Sequence, residues 1–424
     1  MFKFAKLSKA ERSWVLYDVA NSAFILTVIT VLFPILSKAI AAAEGYESRF
    51  VSSTFMYITA GIALTVALIS PVIGSVANYD GNKKKFFKIF FVVAIVGGIG
   101  ISIPGLQWVT LLVLFVISSI GYNTANVIYD AFLIDVTEED RMDEISAQGF
   151  AWGYIGSMIP FFIGIIPFAL VTFEVIDASY FNYSISFAFV VAMLWWIYYS
   201  MPLLRDVEQK YSIKGETKQL KKAFESLATI FKSWKSYKHI FIYLLAYLLY
   251  IDVVNSVIRL ATTIGTDLHV SDAMLLAVVV IVQFVAFPFA ILFGRLTKVY
   301  GAKKLLFTGI FAYIITIIVV SQIKEDTTWL MLIVAVLVGT SQGGIQAVSR
   351  SFFAKMVPRE KANEFFGFFS VFGRFAGIFS PFLLATLYRV ESISVNTAVL
   401  FLLIPLLLGA LLLTRVPEIK KAWS

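Results

Sequence analysis

Long runs of hydrophobic residues alternate with short polar segments along almost the whole chain. Most of these runs reach the length of about 20 apolar residues that a helix needs to cross a bilayer. Because they are continuous rather than alternating with a period of two, they indicate helices and not the strands of a barrel. We therefore predict an all-α membrane protein with twelve transmembrane helices, at residues 14–38, 51–77, 86–104, 108–134, 145–172, 181–203, 239–264, 272–297, 305–323, 329–352, 364–388 and 395–415.

The composition supports this class of protein and narrows its chemistry. Hydrophobic residues make up 59% of the chain and charged residues 15%, against about 25% in soluble domains. The absence of Cys excludes disulfides, thiol catalysis and thiolate metal sites. We expect no metal and no cofactor. Asp18 and Asn21 within the first run argue against a cleaved signal peptide.

The positive charges predict which loops face the cytoplasm. The chain has a net charge of +8, and most of its Lys and Arg residues lie in loops that share one side if both termini are cytoplasmic. The charges are dispersed over many short loops, so a nucleic-acid surface is not indicated. Short loops favour a prokaryotic plasma membrane. The exceptions are Lys38, Arg49, Lys324 and Arg389 in loops on the opposite side, and Arg259, Arg350 and Arg374 within spans.

A polar, basic segment divides the chain into two sets of six spans. We predict a bundle at residues 1–203, a linker at 204–238 and a second bundle at 239–424. Within the linker, Leu220, Phe224, Leu227, Phe231 and Trp234 recur at helical spacing. This pattern predicts an amphipathic helix, which either lies on the membrane surface or forms a soluble connection.

The two sets of spans repeat one another. A G-x6-G-x-K-K pattern follows the second span and recurs 220 residues later, after the eighth. D-V-x-N-S occurs at Asp18 in the first span and at Asp252 in the seventh. Six spans per copy give both copies the same orientation, and such parallel repeats are typical of major-facilitator transporters, which bind solutes near the midplane where the halves meet. The sequence therefore predicts two six-helix bundles of the major-facilitator type.

The repeated loops are candidate gating elements. They resemble the superfamily signature G-x-L-A-D-x-x-G-R-K, although Asn78 and Lys298 replace its Asp. We expect the first Gly of each copy to end a helix and the Lys residues to contact anionic headgroups; a tight turn with charges that set topology is the alternative. The acidic loop 135–144 either forms a salt bridge to the other half or is a solvated cap. The candidate gating residues are Gly74, Asn78, Gly81, Lys83, Lys84, Gly294, Gly301, Lys303 and Lys304.

Three segments carry a closer resemblance. They are Tyr17-Asp-Val-Ala-Asn-Ser-Ala-Phe24, Gly343-Gly-Ile-Gln-Ala-Val-Ser-Arg-Ser351 and Asn363-Glu-Phe-Phe-Gly-Phe-Phe-Ser-Val-Phe-Gly373. In these segments the chain resembles the vacuole-effluxer-like family, the autophagy-related branch of the major facilitator superfamily. The resemblance implies a twelve-span transporter and, from studied members, export of amino acids.

Charged side chains inside spans are candidates for function, because each costs about 2.5–3.5 kcal/mol to insert. Most of them, and several amides, fall in spans 1, 4, 7 and 10, which line the central cavity in the fold that the chain resembles. We propose a carboxylate subsite for a cation or proton and an Arg350 subsite for an anion, which together suit a small zwitterion. The candidate residues are Asp18, Asn21, Asn126, Asp130, Asp252, Asn255, Gln346, Arg350 and Arg374.

Structural roles are the alternative for these residues. Asp130 and Arg350 lie near span ends and suit gate ion pairs, while Asp18 is close enough in sequence to pair with Arg12. Gly373-x-x-x-Gly377 and Gly149-x-x-x-Gly153 suit close helix packing.

The function expected is that of a secondary transporter, a monomer in the lipid bilayer that moves a small solute with protons. The chain lacks H-E-x-x-H, G-x-S-x-G and G-x4-G-K-[ST], so an enzyme or a nucleotide-driven pump is not indicated. The alternative on the same fold is a lipid scramblase or a receptor that does not transport.

Overall fold

The computed structural model describes residues 7–77, 80–138, 141–210, 237–356, 369, 371–373 and 375–417. Over these ranges the regular structure is entirely helical. The helices are Lys9–Ala23, a π-helical segment Phe24–Leu32, Phe33–Ala43, Ser48–Ala77, Asn82–Gly100, Trp108–Ala131, Leu133–Val136, Met142–Thr172, Phe181–Asp206, Lys238–Asp267, Asp272–Tyr300, Ala302–Ser321, Leu330–Met356, Phe379–Tyr388, Val395–Leu400 and Leu403–Thr414, with short 3₁₀ turns at Ala178–Tyr180 and Glu325–Thr327.

Ten helices within the described ranges are long and apolar enough to cross a membrane, which agrees with the predicted all-α class. The third predicted span is outside this group. It forms a helix of 19 residues, Asn82–Gly100, whose first turns are rich in Lys. The eleventh span is also outside it, because only the helix Phe379–Tyr388, of 10 residues, is regular there.

The prediction of an uninterrupted eleventh span is wrong. A turn at Ala376–Ile378 precedes the helix Phe379–Tyr388, and Gly377 has a φ of 116°. A residue with a side chain is strained in that conformation, so the break depends on glycine. The apolar pattern continues through the break, and for that reason hydrophobicity alone did not reveal it.

The first span begins with a capping box. The Ser8 hydroxyl accepts the Glu11 backbone N–H, and the Glu11 carboxylate accepts the Ser8 N–H at 2.7 Å. Nine residues, Phe24–Leu32, are π-helical in the middle of this span. π-Helical turns are rare and occur frequently at functional sites.

The chain forms two compact units. The first contains residues 1–46 and 68–220, and the second contains residues 47–67 and 221–424. The residues 47–67, most of the predicted second span, thus belong to the second unit. The predicted division at 1–203, 204–238 and 239–424 stays a prediction, and the proposed amphipathic helix falls on residues 211–236, outside the described ranges.

Polar contacts hold residues 47–67 within the second unit. The Ser52 hydroxyl donates to Asp267 at 2.9 Å, at the end of the seventh span. The Arg389 guanidinium donates to the Ser53 hydroxyl at 2.5 Å and lies over the Phe50 ring. These contacts connect the second, seventh and eleventh spans at the end that the charge pattern assigns to the non-cytoplasmic side.

The repeated loops share one backbone feature. Gly81 and Gly301 have φ values of 72° and 85°, and each directly precedes a helix that starts at the next residue. The expectation that Gly74 and Gly294 end helices is wrong, because both lie inside helices that continue to Ala77 and Tyr300. The second glycine of each copy is therefore the one that the turn requires.

Lys83 of the first loop lies in the protein interior. Its ammonium group donates to the Asp135 carboxylate at 2.6 Å and to the Ala131 carbonyl at 3.1 Å. The Lys83 side chain is 1% exposed and that of Asp135 is fully buried. The prediction that Lys83 contacts lipid headgroups is therefore wrong. The alternative of a solvated cap is wrong for Asp135 as well.

The same buried carboxylate anchors the segment that follows the sixth span. The other Asp135 oxygen accepts the Lys210 backbone N–H at 2.9 Å. Gln209 accepts the Lys83 backbone N–H at 3.3 Å and donates to the Ala77 carbonyl at 3.0 Å. The ion pair and Gln209 together thus join the start of the third span to the ends of the second, fourth and sixth spans.

The second copy of the loop uses a different partner. The Lys303 ammonium donates to the backbone carbonyls of Thr414, at 3.1 Å, and Val416, at 2.5 Å. Cations are favoured at helix C-termini, where carbonyls lack intrahelical partners. The position equivalent to Asp135 in the second repeat is Lys355, which offers no carboxylate.

We predict that Lys83→Met lowers the free energy of unfolding by about 3–5 kcal/mol, because it leaves the Asp135 carboxylate buried without its partner. Denaturant unfolding of the detergent-solubilised protein measures this change. The exposed Lys85 provides the matched control, Lys85→Met, which we expect to be nearly neutral.

The double variant Lys83→Met with Asp135→Leu should be more stable than Lys83→Met alone, because no charge then remains buried. If Lys83→Met is as mild as Lys85→Met, the ion pair contributes nothing to the fold.

Candidate functional site

Asp18 and Asn21 form the start of a polar cluster in the first unit. They lie three residues apart on one face of the first span, as the spacing predicted. The Asn21 amide donates to the Asp18 carboxylate at 3.3 Å, and Asn21 is 5% exposed. The Tyr122 hydroxyl of the fourth span donates to the Asn21 amide oxygen at 3.4 Å. The predicted pair is therefore connected across two spans.

Aromatic side chains hold the first and fourth spans in register. The Tyr17 hydroxyl donates to the Asn126 amide oxygen at 3.1 Å. The Trp14 and Tyr129 rings stack with centroids 4.6 Å apart, and each donates a hydrogen bond to the other's backbone carbonyl. Buried aromatic groups with satisfied polar ends make a rigid surface.

Asp130 is exposed, while its neighbour Tyr129 is buried. Tyr129 interacts electrostatically with the carboxylates of both Asp18 and Asp130. Hydrogen bonds connect Asp18 with Asn21 and Tyr17 with Asn126, and Tyr129 interacts with both acids, while the binding role of these residues stays a prediction.

Close packing against the fifth span fixes the position of Asp18. A Cβ added at Gly149 would lie 2.2 Å from the Asp18 carboxylate, and one at Gly153 would lie 2.7 Å from the Ser22 hydroxyl. The predicted Gly149-x-x-x-Gly153 packing face is confirmed, because both glycines lie directly against the first span.

The second unit contains a tyrosine cluster. The Tyr243 hydroxyl donates to the Ser349 carbonyl at 2.7 Å, and the Tyr250 and Ser349 hydroxyls are 2.7 Å apart. Tyr243 and Tyr250 are fully buried. These bonds join the seventh and tenth spans.

The predicted polar residues of the seventh and tenth spans meet beside this cluster. The Gln346 amide donates to the Asn255 amide oxygen at 3.4 Å. Arg350 lies close enough to Tyr247 for an electrostatic interaction with its hydroxyl. The Tyr247 ring stacks on Phe369, with centroids 4.3 Å apart.

Asp252 departs from its repeat partner Asp18. Its carboxylate is 1% exposed and accepts hydrogen bonds from the eleventh span: the Gly377 N–H, the Ser380 N–H at 2.7 Å and the Ser380 hydroxyl at 2.5 Å. The solute or proton role predicted for Asp252 stays a prediction, and these contacts indicate a second role.

Within the described ranges, the four spans singled out by the sequence also contain buried polar groups that have no hydrogen-bond partner. Buried polar groups are normally paired, so each exception needs a reason. Gln283 and Tyr388 are further examples in other spans. Within the four spans the unpartnered groups are Thr27, Thr30, Ser119, Thr124, Ser256 and Gln342.

Two predicted site residues, Arg374 and Asn78, lie outside the described ranges. Arg259 is half-buried on the seventh span, and a Cβ at Gly377 would lie 3.6 Å from its guanidinium. This distance is an ordinary van der Waals contact, so the prediction that Gly377 serves close helix packing is wrong. Its positive φ explains why a glycine is present at this position.

Two sets of residues escaped the sequence analysis. Tyr243, Tyr247 and Tyr250 recur at intervals of four and three residues, which places them on one helix face, and this spacing was the available signal. For Glu11 the available signal was its capping-box spacing from Ser8, which did not indicate its other partners. Its buried carboxylate pairs with Arg141 at 2.9 Å and accepts the Thr137 hydroxyl at 2.7 Å.

Comparison with known proteins agrees with the helical architecture. The family profile described as "Vacuole effluxer Atg22 like" matches residues 8–140 and 134–422. The chain belongs to this effluxer family. The resemblance carried by Tyr17–Phe24, Gly343–Ser351 and Asn363–Gly373 is therefore confirmed.

Relatives of this effluxer family member occur in bacteria and fungi. A Bacillus subtilis (strain 168) protein, the uncharacterized MFS-type transporter YxiO, is 40% identical over 414 residues, covering 97% of this chain and 96% of the relative. Autophagy-related protein 22 of Eremothecium gossypii is 24% identical over 438 residues, covering 88% and 83% respectively.

Solved structures show the same fold. The D-xylose-proton symporter matches with a TM-score of 0.67 and 15% identity, covering 97% of each chain. The nucleoside transporter NupG matches with a TM-score of 0.65 and 14% identity, covering 96% of this chain and 98% of that one. The effluxer family member thus has the major-facilitator fold and is a multi-pass membrane protein of the MFS transporter class.

We predict that Gly149→Ala destabilises the protein by about 1–3 kcal/mol, because the added methyl group collides with the Asp18 carboxylate. Thermal unfolding in detergent measures the change. In Asp18→Ala the colliding atom is gone, so Gly149→Ala should cost much less in that background.

Gly61→Ala is the matched control, since nothing lies within 4 Å of the added Cβ. It should be neutral or stabilising by about 0.5–1 kcal/mol. Equal costs for Gly149→Ala with and without Asp18 would show that the two residues do not touch.

Proposed function

We propose that this protein is a secondary active transporter that moves a small polar solute, an amino acid or a similar zwitterion, by alternating access coupled to protons. Its place among MFS-type transporters supports solute movement across a membrane. The class of solute and the coupling to protons are inferred from the chemistry of the two polar clusters.

The observation that carries this proposal is the opposite charge at equivalent positions of the two repeats. Asn126 and Asp130 in the fourth span correspond to Gln346 and Arg350 in the tenth. Each charged residue belongs to a cluster with aromatic neighbours and amides, described above for its own unit. One copy of the repeat therefore offers carboxylates and the other offers a guanidinium.

These groups suit the two ends of a zwitterion. A carboxylate such as Asp18 attracts an ammonium group or takes up a proton, and Arg350 binds a carboxylate through paired hydrogen bonds. Asn21, Asn126, Asn255 and Gln346 provide amides that both donate and accept. The unpartnered hydroxyls in the same spans offer further hydrogen bonds to a polar solute.

Proton coupling has a second line of support. One structural neighbour is named as a proton symporter for D-xylose, and it shares the fold at 15% identity. The acidic cluster around Asp18 and Asp130 contains the groups that could carry a proton in this chain. We propose a plasma-membrane location with both termini in the cytoplasm, which rests on the distribution of Lys and Arg and on the bacterial relative.

The direct test of binding is thermal stabilisation of the purified protein by a panel of amino acids, sugars and nucleosides. A ligand that binds the folded state raises the unfolding temperature, and the increase grows with the ratio of ligand concentration to Kd. We expect an amino acid to stabilise the protein. Stabilisation by a sugar or nucleoside alone would contradict the proposed solute class.

The direct test of transport is uptake of the stabilising solute into proteoliposomes, with and without a pH gradient. We expect the gradient to drive accumulation. Scrambling of a labelled lipid without solute uptake would favour the scramblase, and solute binding without uptake would favour a receptor.

We predict that Arg350→Gln reduces solute affinity at least tenfold, because it removes the bidentate partner of a carboxylate, and that Arg350→Lys restores only part of it. Arg205→Gln, at a site where the Arg side chain is 74% exposed, is the control. Equal affinity for Arg350→Gln and the control would remove Arg350 from the site.

We further predict that Asp18→Asn abolishes accumulation driven by the pH gradient while exchange of solute persists, because an amide cannot take up the proton. Asp326→Asn, on an exposed turn, is the control. Gradient-driven accumulation at the control level in Asp18→Asn would exclude Asp18 as the coupling group.

A further inference from the structure

The eleventh span contains a break whose backbone groups bond to another span. The Ala376 N–H bonds to Phe372, and the Phe382 N–H bonds to Ile378, so helical bonding resumes on both sides. Between them, the N–H groups of Gly377 and Ser380 donate to Asp252. The ordinary i to i−4 bonds are thus replaced by bonds to a side chain of the seventh span.

We propose that Gly377 is a hinge and that Asp252 is the residue that positions it, by capping the helix Phe379–Tyr388 from the neighbouring span. An acceptor at a helix N-terminus satisfies N–H groups that have no partner within the helix, and a negative charge there also interacts favourably with the helix dipole. Ser380 adds its hydroxyl to the same carboxylate oxygen. The cap therefore joins two spans, whereas an ordinary cap belongs to its own helix.

The two sides of the hinge contact different parts of the second unit. Before it, Phe369 stacks on Tyr247, and a Cβ at Gly373 would lie 3.3 Å from the Tyr247 hydroxyl, beside Arg350. After it, the Thr386 and Tyr57 hydroxyls are 3.1 Å apart, and Arg389 bonds to Ser53. Movement at Gly377 would change one set of contacts without the other.

The repeat supports a special role at this position. In the first unit, Asp18 lies against Gly149 of the fifth span, and its side chain bonds to Asn21. The residues equivalent to Gly377 and Ser380 are Ser157 and Pro160, which lie inside the uninterrupted helix Met142–Thr172. Of the two equivalent aspartates, Asp252 therefore caps a break in the second copy, whereas Asp18 faces an unbroken helix in the first.

The experiment measures the position of the half-helix directly, without solute or gradient, so its result does not depend on the proposed transport. The chain has no Cys, so spin labels can be attached at Leu245→Cys and Phe382→Cys without removing native thiols. Both sites are exposed on their helices, at 44% and 56%. Pulsed electron–electron double resonance gives the distribution of distances between the two spin labels.

We expect a narrow distribution with Asp252 intact, and a distribution at least twice as wide in Asp252→Asn, because an amide presents one acceptor oxygen where two are used. Asp252→Glu keeps both oxygens and should lie between the two. Gly377→Ala should also broaden it, since a side chain is strained at that φ.

Ser380→Ala removes a single donor and is the milder variant if Asp252→Asn does not fold. Thr316→Ala is its matched control, because that hydroxyl is equally buried and bonds only within its own helix, to Ala312. We expect a broader distance distribution in Ser380→Ala and an unchanged width in Thr316→Ala. Distributions as narrow as that of the unmodified hinge in both Asp252→Asn and Ser380→Ala would overturn the proposal.

Discussion

Lipid offers no hydrogen bonds, so most polar groups inside these spans depend on a partner within the protein. This constraint explains why Trp14 and Tyr129 bond to each other's backbone and why the Tyr243 hydroxyl bonds to the Ser349 carbonyl. It also explains the Asp252 carboxylate, which is surrounded by donors from another span. The polar clusters are therefore part of the packing of each unit as well as candidates for solute binding.

The same constraint decides which features of this protein can be predicted from its sequence. Runs of apolar residues must be helices in a membrane, so the class of fold was accessible from the sequence alone. The pair Asp18–Asn21 was accessible too, from its spacing of three residues, whereas Asn255 and Gln346 were each named as site residues without their mutual contact. The break at Gly377 was not, because its signal is a hydrogen bond from the Gly377 N–H to a carboxylate 125 residues away in the chain.

Other features depended on tertiary contacts in the same way. The charge of Lys83 suggested a surface position, but its partner Asp135 allows it to be buried. The π-helical segment Phe24–Leu32 has an ordinary apolar composition, and nothing in its residues distinguishes it from an α-helix. The sequence around Glu11 does not indicate that it is buried, because its partners Arg141 and Thr137 are distant in the chain.

The turn at Gly81 and its copy at Gly301 show which features the two repeats share and which differ. Both copies keep a glycine with a positive φ before the helix, while the neighbouring lysines, Lys83 and Lys303, have different partners. A symmetric dimer of one short chain could not have diverged in this way, because any substitution would appear in both subunits. In a single polypeptide each copy of the repeat can vary alone, which is why an acid, Asp130, and an arginine, Arg350, can occupy equivalent positions.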